Sequence, residues 1–208
     1  AQVAPGPAST IASLDITGLN ASNLLLANSV QRNSLARVGE AFVLENVELT
    51  RLELLSKLND HGYPYADVKA RMVARPLAHE VDVQLEARAG KRATFGPIRV
   101  VGNERVPQRF IRSRTAFARG DPYKQSLLLR TQRELFDLGA FSMVSVDPDL
   151  SDPSVDEVPV TINLAESKFR KIRLGGGFEY NVQQIKPEVS ANFRHVNLWS
   201  KLIRLDLH

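Results

Sequence analysis

Hydrophobic positions along the chain change period at nearly regular intervals, and the changes come in the same order twice. The run Ile11-Ala12-Ser13-Leu14-Asp15-Ile16-Thr17-Gly18 alternates with the two-residue period of a half-buried strand. It predicts a strand, followed by a helical stretch from Ser22 to Val38 and a break at Gly39-Glu40-Ala41-Phe42. A second helix is expected from Val47 to Asp60, with Leu52, Leu55 and Leu58 as its apolar stripe. Gly62 stops it, as a left-handed C-terminal cap does before an immediate turn. The strand-like Ala66 to Val73 and, after Pro76, the alternation from His79 to Leu85 complete the set.

The second copy opens at Ile98-Arg99-Val100-Val101-Gly102 and continues with a helix from Pro107 to about Thr115, where Pro is tolerated in the first turn. After Gly120-Asp121-Pro122-Tyr123 comes a helix from Ser126 to Leu138, with Leu128, Leu135 and Leu138 inward and Gly139 at its end. Ser142 to Val146 and Val158 to Leu164 supply the closing strands. Matched glycines are offset by 84 (Gly18, Gly102), 81 (Gly39, Gly120) and 77 (Gly62, Gly139) residues, so order is kept while loop lengths drift. The predicted fold is α+β: two tandem β-α-α-β-β domains, each a three-stranded sheet with two helices on one face. Expected boundaries are a flexible Pro/Gly lead over 1–10, a first domain over 11–89 and a second over 90–167. The joint falls at Arg88 to Pro97, through the small, basic Ala89-Gly90-Lys91-Arg92-Ala93-Thr94.

From Lys171 the alternation becomes strict. Ile172, Leu174, Gly176, Phe178 and Tyr180 share one face, and further on Val189, Ala191 and Phe193, then Ile203, Leu205 and Leu207 do the same. A run of this length fits a membrane β-strand of roughly 9–11 residues, apolar toward lipid and polar toward the lumen. Residues 168–208 are therefore expected to be the first antiparallel strands of an incomplete outer-membrane β-barrel. Ile172, Leu174, Phe178, Tyr180, Val189 and Phe193 form its lipid face, with Trp199 at the interfacial girdle. Three strands fall short of the roughly 8 in the smallest membrane barrels, so further strands are expected beyond this segment.

Composition narrows the function. The 208 residues, 43% hydrophobic and 24% charged, suffice for a packed core, and no cysteine is present for a disulfide or thiolate chemistry. His61, His79, His195 and His208 lack metal-ligand spacing, and no G-x-S-x-G occurs. Gly175-Gly176-Gly177 has no following Gly-Lys-Ser/Thr and reads as a smooth strand surface, not a phosphate loop. No catalytic residue, metal site or cofactor is expected. The net charge of +4 raises nucleic acid, but residues 1–89 carry 8 basic and 10 acidic groups, 90–166 carry 11 and 10, and 167–208 carry 8 and 3. The excess lies in the tail rather than on a folded module. A tandem KH-like RNA-binding module shares the element order but clamps RNA with Gly-x-x-Gly. Here an acidic residue follows each glycine (Gly39-Glu40, Gly120-Asp121), which repels phosphate, so no nucleic-acid partner is expected. Arg105, Arg109 and Arg112, at spacings of 4 and 3, mark a basic patch suited to anionic lipid headgroups.

The ordered set Gly102-Asn103, Gly120-Asp121-Pro122-Tyr123, Leu135-Phe136-Asp137-Leu138-Gly139-Ala140-Phe141-Ser142-Met143-Val144 and Val158-Pro159-Val160-Thr161-Ile162 through Glu166 resembles the polypeptide-transport-associated (POTRA) domain. It is similar in particular to the barrel-proximal copy in outer-membrane assembly proteins of the BamA and TamA kind. The first copy resembles the preceding domain through Gly62-Tyr63-Pro64-Tyr65-Ala66-Asp67-Val68 and Val81-Asp82-Val83-Gln84-Leu85. Val196-Asn197-Leu198-Trp199-Ser200-Lys201-Leu202 resembles an early barrel turn, with Ser200 where glycine is expected.

The resemblance implies a non-enzymatic role in assembling or translocating β-barrel and autotransporter-type proteins at the Gram-negative outer membrane. Clients are unfolded outer-membrane or secreted proteins, with periplasmic or inner-membrane partner proteins and outer-membrane lipid as further candidates. It also places the middle strand of each domain at a sheet edge. Val68, Lys69, Ala70, Arg71, Met72 and Val73, with Ser142, Met143, Val144, Ser145 and Val146, are then the candidate edges for β-augmentation. A two-partner-secretion transporter exporting one exoprotein shares the same domain plan.

Overall fold

A computed structural model of the chain describes residues 9–167, 170–181, 184–198 and 203–207, the last three segments by their backbone alone. The first repeat runs β1 (Thr10–Thr17), α1 (Ala21–Asn33), α2 (Leu44–Asp60), β2 (Asp67–Arg75) and β3 (Glu80–Arg88). The second runs β4 (Thr94–Val101), α3 (Gln108–Arg112), α4 (Gln125–Asp137), β5 (Phe141–Pro148) and β6 (Glu157–Glu166). The sheets are ordered β1-β3-β2 and β4-β6-β5, so in each the last strand in sequence lies in the middle. β3 pairs parallel with β1 and antiparallel with β2, and β5 pairs antiparallel with β6. This is the expected α+β plan. Three further strands, β7 (Arg170–Asn181), β8 (Gln184–Leu198) and β9 (Ile203–Leu207), form an antiparallel meander.

The chain divides into two compact units. One comprises Ala1–Phe95 with Gly120–Ser126 and Leu150–Val158, the other Gly96–Arg119 with Leu127–Asp149 and Pro159–His208. The central strands explain the hydrophobic cores. Paired on both sides, they keep the cleanest alternation: Val81, Val83, Leu85 and Ala87 on β3, and Val158, Val160, Ile162 and Leu164 on β6, are all buried. Onto the first row α2 lays Val47, Thr50, Leu54 and Leu58, spaced 3, 4 and 4, close to the helical period. Onto the second, α4 lays Leu128, Thr131 and Leu135.

Two expectations about the helices are corrected by this geometry. Leu52 is not in the stripe: it is 48% exposed, because six residues at about 100° each set it roughly 120° around the helix from Leu58. Leu54 takes its place, fully buried, while Leu55 is only partly buried. The first helix ends at Asn33, not Val38. Buried Ser34 donates its hydroxyl to the carbonyls of Gln31 and Ala36, which turns the backbone out of the helix. Likewise α3 stops at Arg112, where the hydroxyls of Ser113 and Thr115 donate to the carbonyls of Phe110 and Arg112. His79 is not a strand residue: it sits in the left-handed region at φ 53° after the 3-10 turn Pro76–Ala78, and β3 begins at Glu80. β4 begins at Thr94, which leaves residues 89–93 between β3 and β4.

The repeat is clearest where the first strand of each copy ends. Gly18 (φ 84°) and Gly102 (φ 85°) both pass the central strand so closely that a Cβ would stand 2.3 Å from Ala87 O and 1.9 Å from Leu164 O. Only glycine fits such an approach. Between the helices, Gly39 N donates to Ile11 O (2.8 Å), Ile11 N to Glu40 O (2.9 Å) and Phe42 N to Ser9 O (2.8 Å). In the second copy Gly120 N donates to Phe95 O (2.7 Å), Phe95 N to Asp121 O (2.8 Å) and Tyr123 N to Ala93 O (3.0 Å). The two sequence breaks are thus one structural device, a loop laid along the outer edge of the first strand. Tyr123 anchors its loop with its ring 5.2 Å from that of Phe95, and burial pushes its phenol up to about 12.

Leu58→Ala and Leu135→Ala should each lose about 2–5 kcal/mol in urea titration. Leu52→Ala should lose less than about 0.5 kcal/mol. An equal loss at Leu52 would mean that a different face of α2 meets the sheet.

Candidate functional site

A strand at a sheet edge has one row of N–H and C=O groups with no ladder partner, and a protein must cover, distort or use it. The order of strands leaves β1 and β2 as edges of the first sheet and β4 and β5 as edges of the second. Three of the four are obstructed. The inter-helix loops bond along β1 and β4, and Pro97 within β4 removes one donor. In β5 the register with β6 shifts between Phe141 and Met143, and the strand ends at Pro148. Its hydroxyls are turned to internal partners: Ser142 Oγ donates to Ala165 O at 3.2 Å and Ser145 Oγ to Asp147, which also accepts from Asn163 Nδ2 at 3.0 Å.

β2 is different. It is nine residues long and holds an unbroken register with β3 from Asp67↔Arg88 to Arg75↔Glu80, with no bulge and no proline. Val68, Lys69, Ala70, Arg71, Met72 and Val73 all lie on it. Cover decreases along the strand: Val68 is buried and Ala70 partly so, whereas Met72 is 37% and Val73 55% exposed. At the tip of the hairpin Leu77 is wholly exposed, a residue that period analysis passed over because it stands alone beside Pro76. One side chain reaches the N-terminal end of the edge. Arg51, paired with Glu48 at 2.8 Å, donates from Nη1 to Val68 O at 3.3 Å.

The hairpin is held at its far end by charge. Arg75 Nε donates to Asp82 Oδ2 at 2.7 Å, its Nη2 also meets Asp82, and its Nη1 meets Glu80 at 3.1 Å. Ser13 Oγ on β1 donates to Asp82 Oδ1 at 2.9 Å, so one carboxylate links all three strands. The Arg75 guanidinium, and after it the Ser13 hydroxyl, hold the Asp82 carboxyl below its usual value, while Asp82 raises Arg75.

The three patch arginines are not brought onto one helix face. Arg105 precedes α3, and its backbone N–H and that of Val106 both donate to Glu166 Oε1 at 2.8 Å. Arg109 lies over the Phe110 ring at 5.3 Å, and Arg112 Nη2 turns to Ile98 O at 3.5 Å. In the meander, backbone register sets Ile172 opposite Phe193, Leu174 opposite Ala191 and Gly176 opposite Val189. The lipid-facing assignment of Ile172, Leu174, Phe178, Tyr180, Val189 and Phe193 concerns side chains outside the described residues, as does Trp199. Among the described residues no helix is long and apolar enough to cross a membrane, and no cluster of His, Cys, Asp or Glu fits a metal ion.

A three-stranded mixed sheet whose last strand is central, covered by two helices, defines a class of α+β repeat domain. Residues 93–167 match the POTRA family, described as surface antigen variable number repeat. The match covers the second repeat, and the first repeat has the same fold. Similar solved structures include BamA POTRA3-5 of Haemophilus influenzae, at 21% identity over 76% of this chain and 61% of that one, with a TM-score of 0.68. BamA of Haemophilus ducreyi lacking POTRA domains 1-3 matches at 18% identity over 95% of this chain and 36% of that one, TM-score 0.76. CdiB of Acinetobacter baumannii matches at 12% identity over 99% and 38%, TM-score 0.52. The chain thus spans less than two thirds of each of these chains. No curated protein sequence matches it.

The Asp82 link predicts a pH dependence. A carboxyl depressed in the folded state contributes stability that is complete above its unfolded value, here 3.8, and is lost as pH falls through the lower folded value. Amide-exchange protection of the Arg75–Glu80 hairpin should stay constant from neutral pH to about pH 4 and decline below it, and Asp82→Asn should abolish that dependence. Loss of protection already above about pH 5 would assign the effect to other carboxylates.

Proposed function

We propose that this chain is the periplasmic arm and first barrel strands of a Gram-negative outer-membrane protein that assembles or translocates other β-barrel or autotransporter-type proteins. It captures clients by β-augmentation and uses neither a cofactor nor catalysis. The observation that carries the reading is β2, the one edge of the two repeat sheets that, among the described residues, has neither a shifted register, an internal proline nor a loop bonded along it. Main-chain pairing there supplies affinity with little demand on client sequence, which suits a protein that must handle many unfolded chains. The Val68 to Val73 edge is the main client site. Ser142 to Val146 is a weaker one, because its ladder is shifted at the start and closed by Pro148.

Several features support the membrane side of this reading. The match to BamA POTRA3-5 covers 76% of the chain, and the match to the Haemophilus ducreyi BamA, which lacks POTRA domains 1-3, extends to 95%. The added part includes residues of the meander, whose strands β7 and β8, of 12 and 15 residues, reach the length a tilted membrane strand needs. The likeness to CdiB over 99% of the chain favours a second reading, a two-partner-secretion transporter dedicated to one exoprotein, with the same edge serving one client.

A peptide with the sequence of Arg170–Asn181, a barrel-type strand, is a suitable probe. Added to the 15N-labelled chain in an uncharged detergent, it should shift β2 amides more than those of β5 or the helices. Proline placed in turn at positions 70 to 74 should show an alternating result. Positions whose N–H faces outward lose peptide binding and keep the fold, whereas positions bonded to β3 lose stability. Uniform tolerance across the five positions, with binding intact, would eliminate the edge mechanism.

A further inference from the structure

Outside the β2 edge, a concentration of positive charge lies in residues 96–119. This stretch carries Arg99, Arg105, Arg109, Arg112, Arg114 and Arg119 against the single acid Glu104, although residues 90–166 together are nearly balanced at 11 basic to 10 acidic. The same stretch encloses a cleft of about 400 Å³, within the range of small-ligand sites. Its walls are of two kinds. Pro97, Ile98 and Phe117 are apolar, and Arg112 and Arg119 are cationic, with Thr115 between them.

We propose that this cleft binds the phosphate-bearing headgroup of an anionic phospholipid. A guanidinium offers a planar fork of N–H donors that matches phosphate oxygens two at a time. Arg112 has little to give up on binding, since its bond to Ile98 O is 3.5 Å long, at the outer limit for such an interaction. Thr115 contributes little, because its hydroxyl already donates to the Arg112 carbonyl. The apolar wall formed by Pro97, Ile98 and Phe117 has no role in holding a free anion, but it accommodates the glycerol and first methylenes of a lipid.

The basic stretch that lines the cleft is joined at its other end to the strand that leads to β7. Glu166 Oε1 accepts from the N–H groups of both Arg105 and Val106, and this ties the start of the basic stretch to the end of β6. Glu166 is four residues before Arg170, where β7 begins. If β7 to β9 are membrane strands, as proposed above, the start of the basic stretch is held on the membrane side of this repeat, where anionic lipid attracts arginine. The inference rests on that reading for its biological ligand but not for the binding itself.

The experiment titrates the full chain, in uncharged maltoside micelles, with dihexanoyl phosphatidylglycerol, dihexanoyl phosphatidylcholine and inorganic phosphate by calorimetry. Saturable binding of the phosphatidylglycerol is expected, with the other two at least about tenfold weaker, one for its opposing cation and one for its missing apolar part. Arg112→Gln with Arg119→Gln should weaken phosphatidylglycerol about tenfold or more, and Arg112→Gln alone should weaken it measurably, with the amide spectrum of each showing that the fold persists. Arg133→Gln on α4 removes the same charge outside the cleft and should leave binding unchanged.

Absence of saturable binding, equal loss in Arg133→Gln, or undiminished binding in the double variant would each overturn the site. Phosphate binding as tight as the lipid's would overturn the lipid and leave an anion pocket. Protease protection of residues 170–207 in lipid vesicles reads the membrane strands separately. Its failure with lipid binding intact would sink the barrel reading alone, and protection without lipid binding would sink the cleft alone.

Discussion

The organisation of this protein depends on how each three-stranded sheet satisfies the peptide groups along its edges. A β-α-α-β-β unit whose last strand inserts centrally has two outer strands and helices on only one face, so neither edge is covered by the helices. The loop between the helices resolves one edge in each repeat. Ile11 exchanges both its N–H and C=O with Gly39 and Glu40, and Phe95 does the same with Gly120 and Asp121. Other features follow from that exchange. α1 must release the chain at Ser34 for the loop to return to β1, and Phe42 and Tyr123 must pack beside the strand they flank. With the first strand occupied, only the middle strand in sequence is left with an edge that can be offered to another chain.

Much of this architecture was legible because the sequence carries two separate periodic signals and repeats them. The central strands read almost perfectly, since burial against helices on one face forces the alternation Val81, Val83, Leu85, Ala87 and its counterpart from Val158 to Leu164. The glycine offsets also held physical content: Gly18 and Gly102 mark the same close passage of two backbones. What could not be read was anything decided by tertiary contact. Leucines at 52, 55 and 58 form as good a stripe on paper as the buried set, but threonine and valine at 50 and 47 occupy the face that meets the sheet. The Gly-Glu and Gly-Asp breaks were visible as punctuation, yet their bonding along a distant strand has no local signature. The Arg75, Asp82 and Ser13 link joins residues 7 and 69 positions apart and is likewise silent in the sequence. The middle strand's place at a sheet edge came from family resemblance rather than from periodicity.

The two repeats share a fold and differ where function would act, as expected when activity is carried by sites rather than by topology. Both sheets have a middle-sequence strand at an edge. In the second repeat that strand is bulged at its start, closed by proline and bonded through its own hydroxyls, the usual devices against unwanted pairing. In the first repeat β2 keeps an unshifted ladder with β3 up to Arg75, next to Pro76, and the exposed tip is stiffened by ion pairing at Arg75. Under the proposed function the difference divides the work: the first repeat presents an edge, and the second carries a basic stretch bonded to the end of β6.

An unprotected edge brings a hazard, because the partner it is best shaped to pair with is another copy of itself. The solvent-facing positions of β2 answer this. Lys69 and Arg71 are exposed on one face, with Arg75 further along engaged by Asp82. Antiparallel pairing of two β2 strands with Ala70 on the two-fold axis would set Lys69 of each against Arg71 of the other, and like charges directly opposite destabilise a pair by a few tenths to about 1 kcal/mol each. A client strand of barrel type, with small polar residues on one face and apolar ones on the other, meets no such repulsion and finds Met72 and Val73 exposed beside the ladder. The same charges that keep the edge from closing on itself therefore leave it open to a chemically different strand. That is the selectivity the proposed capture of barrel segments requires.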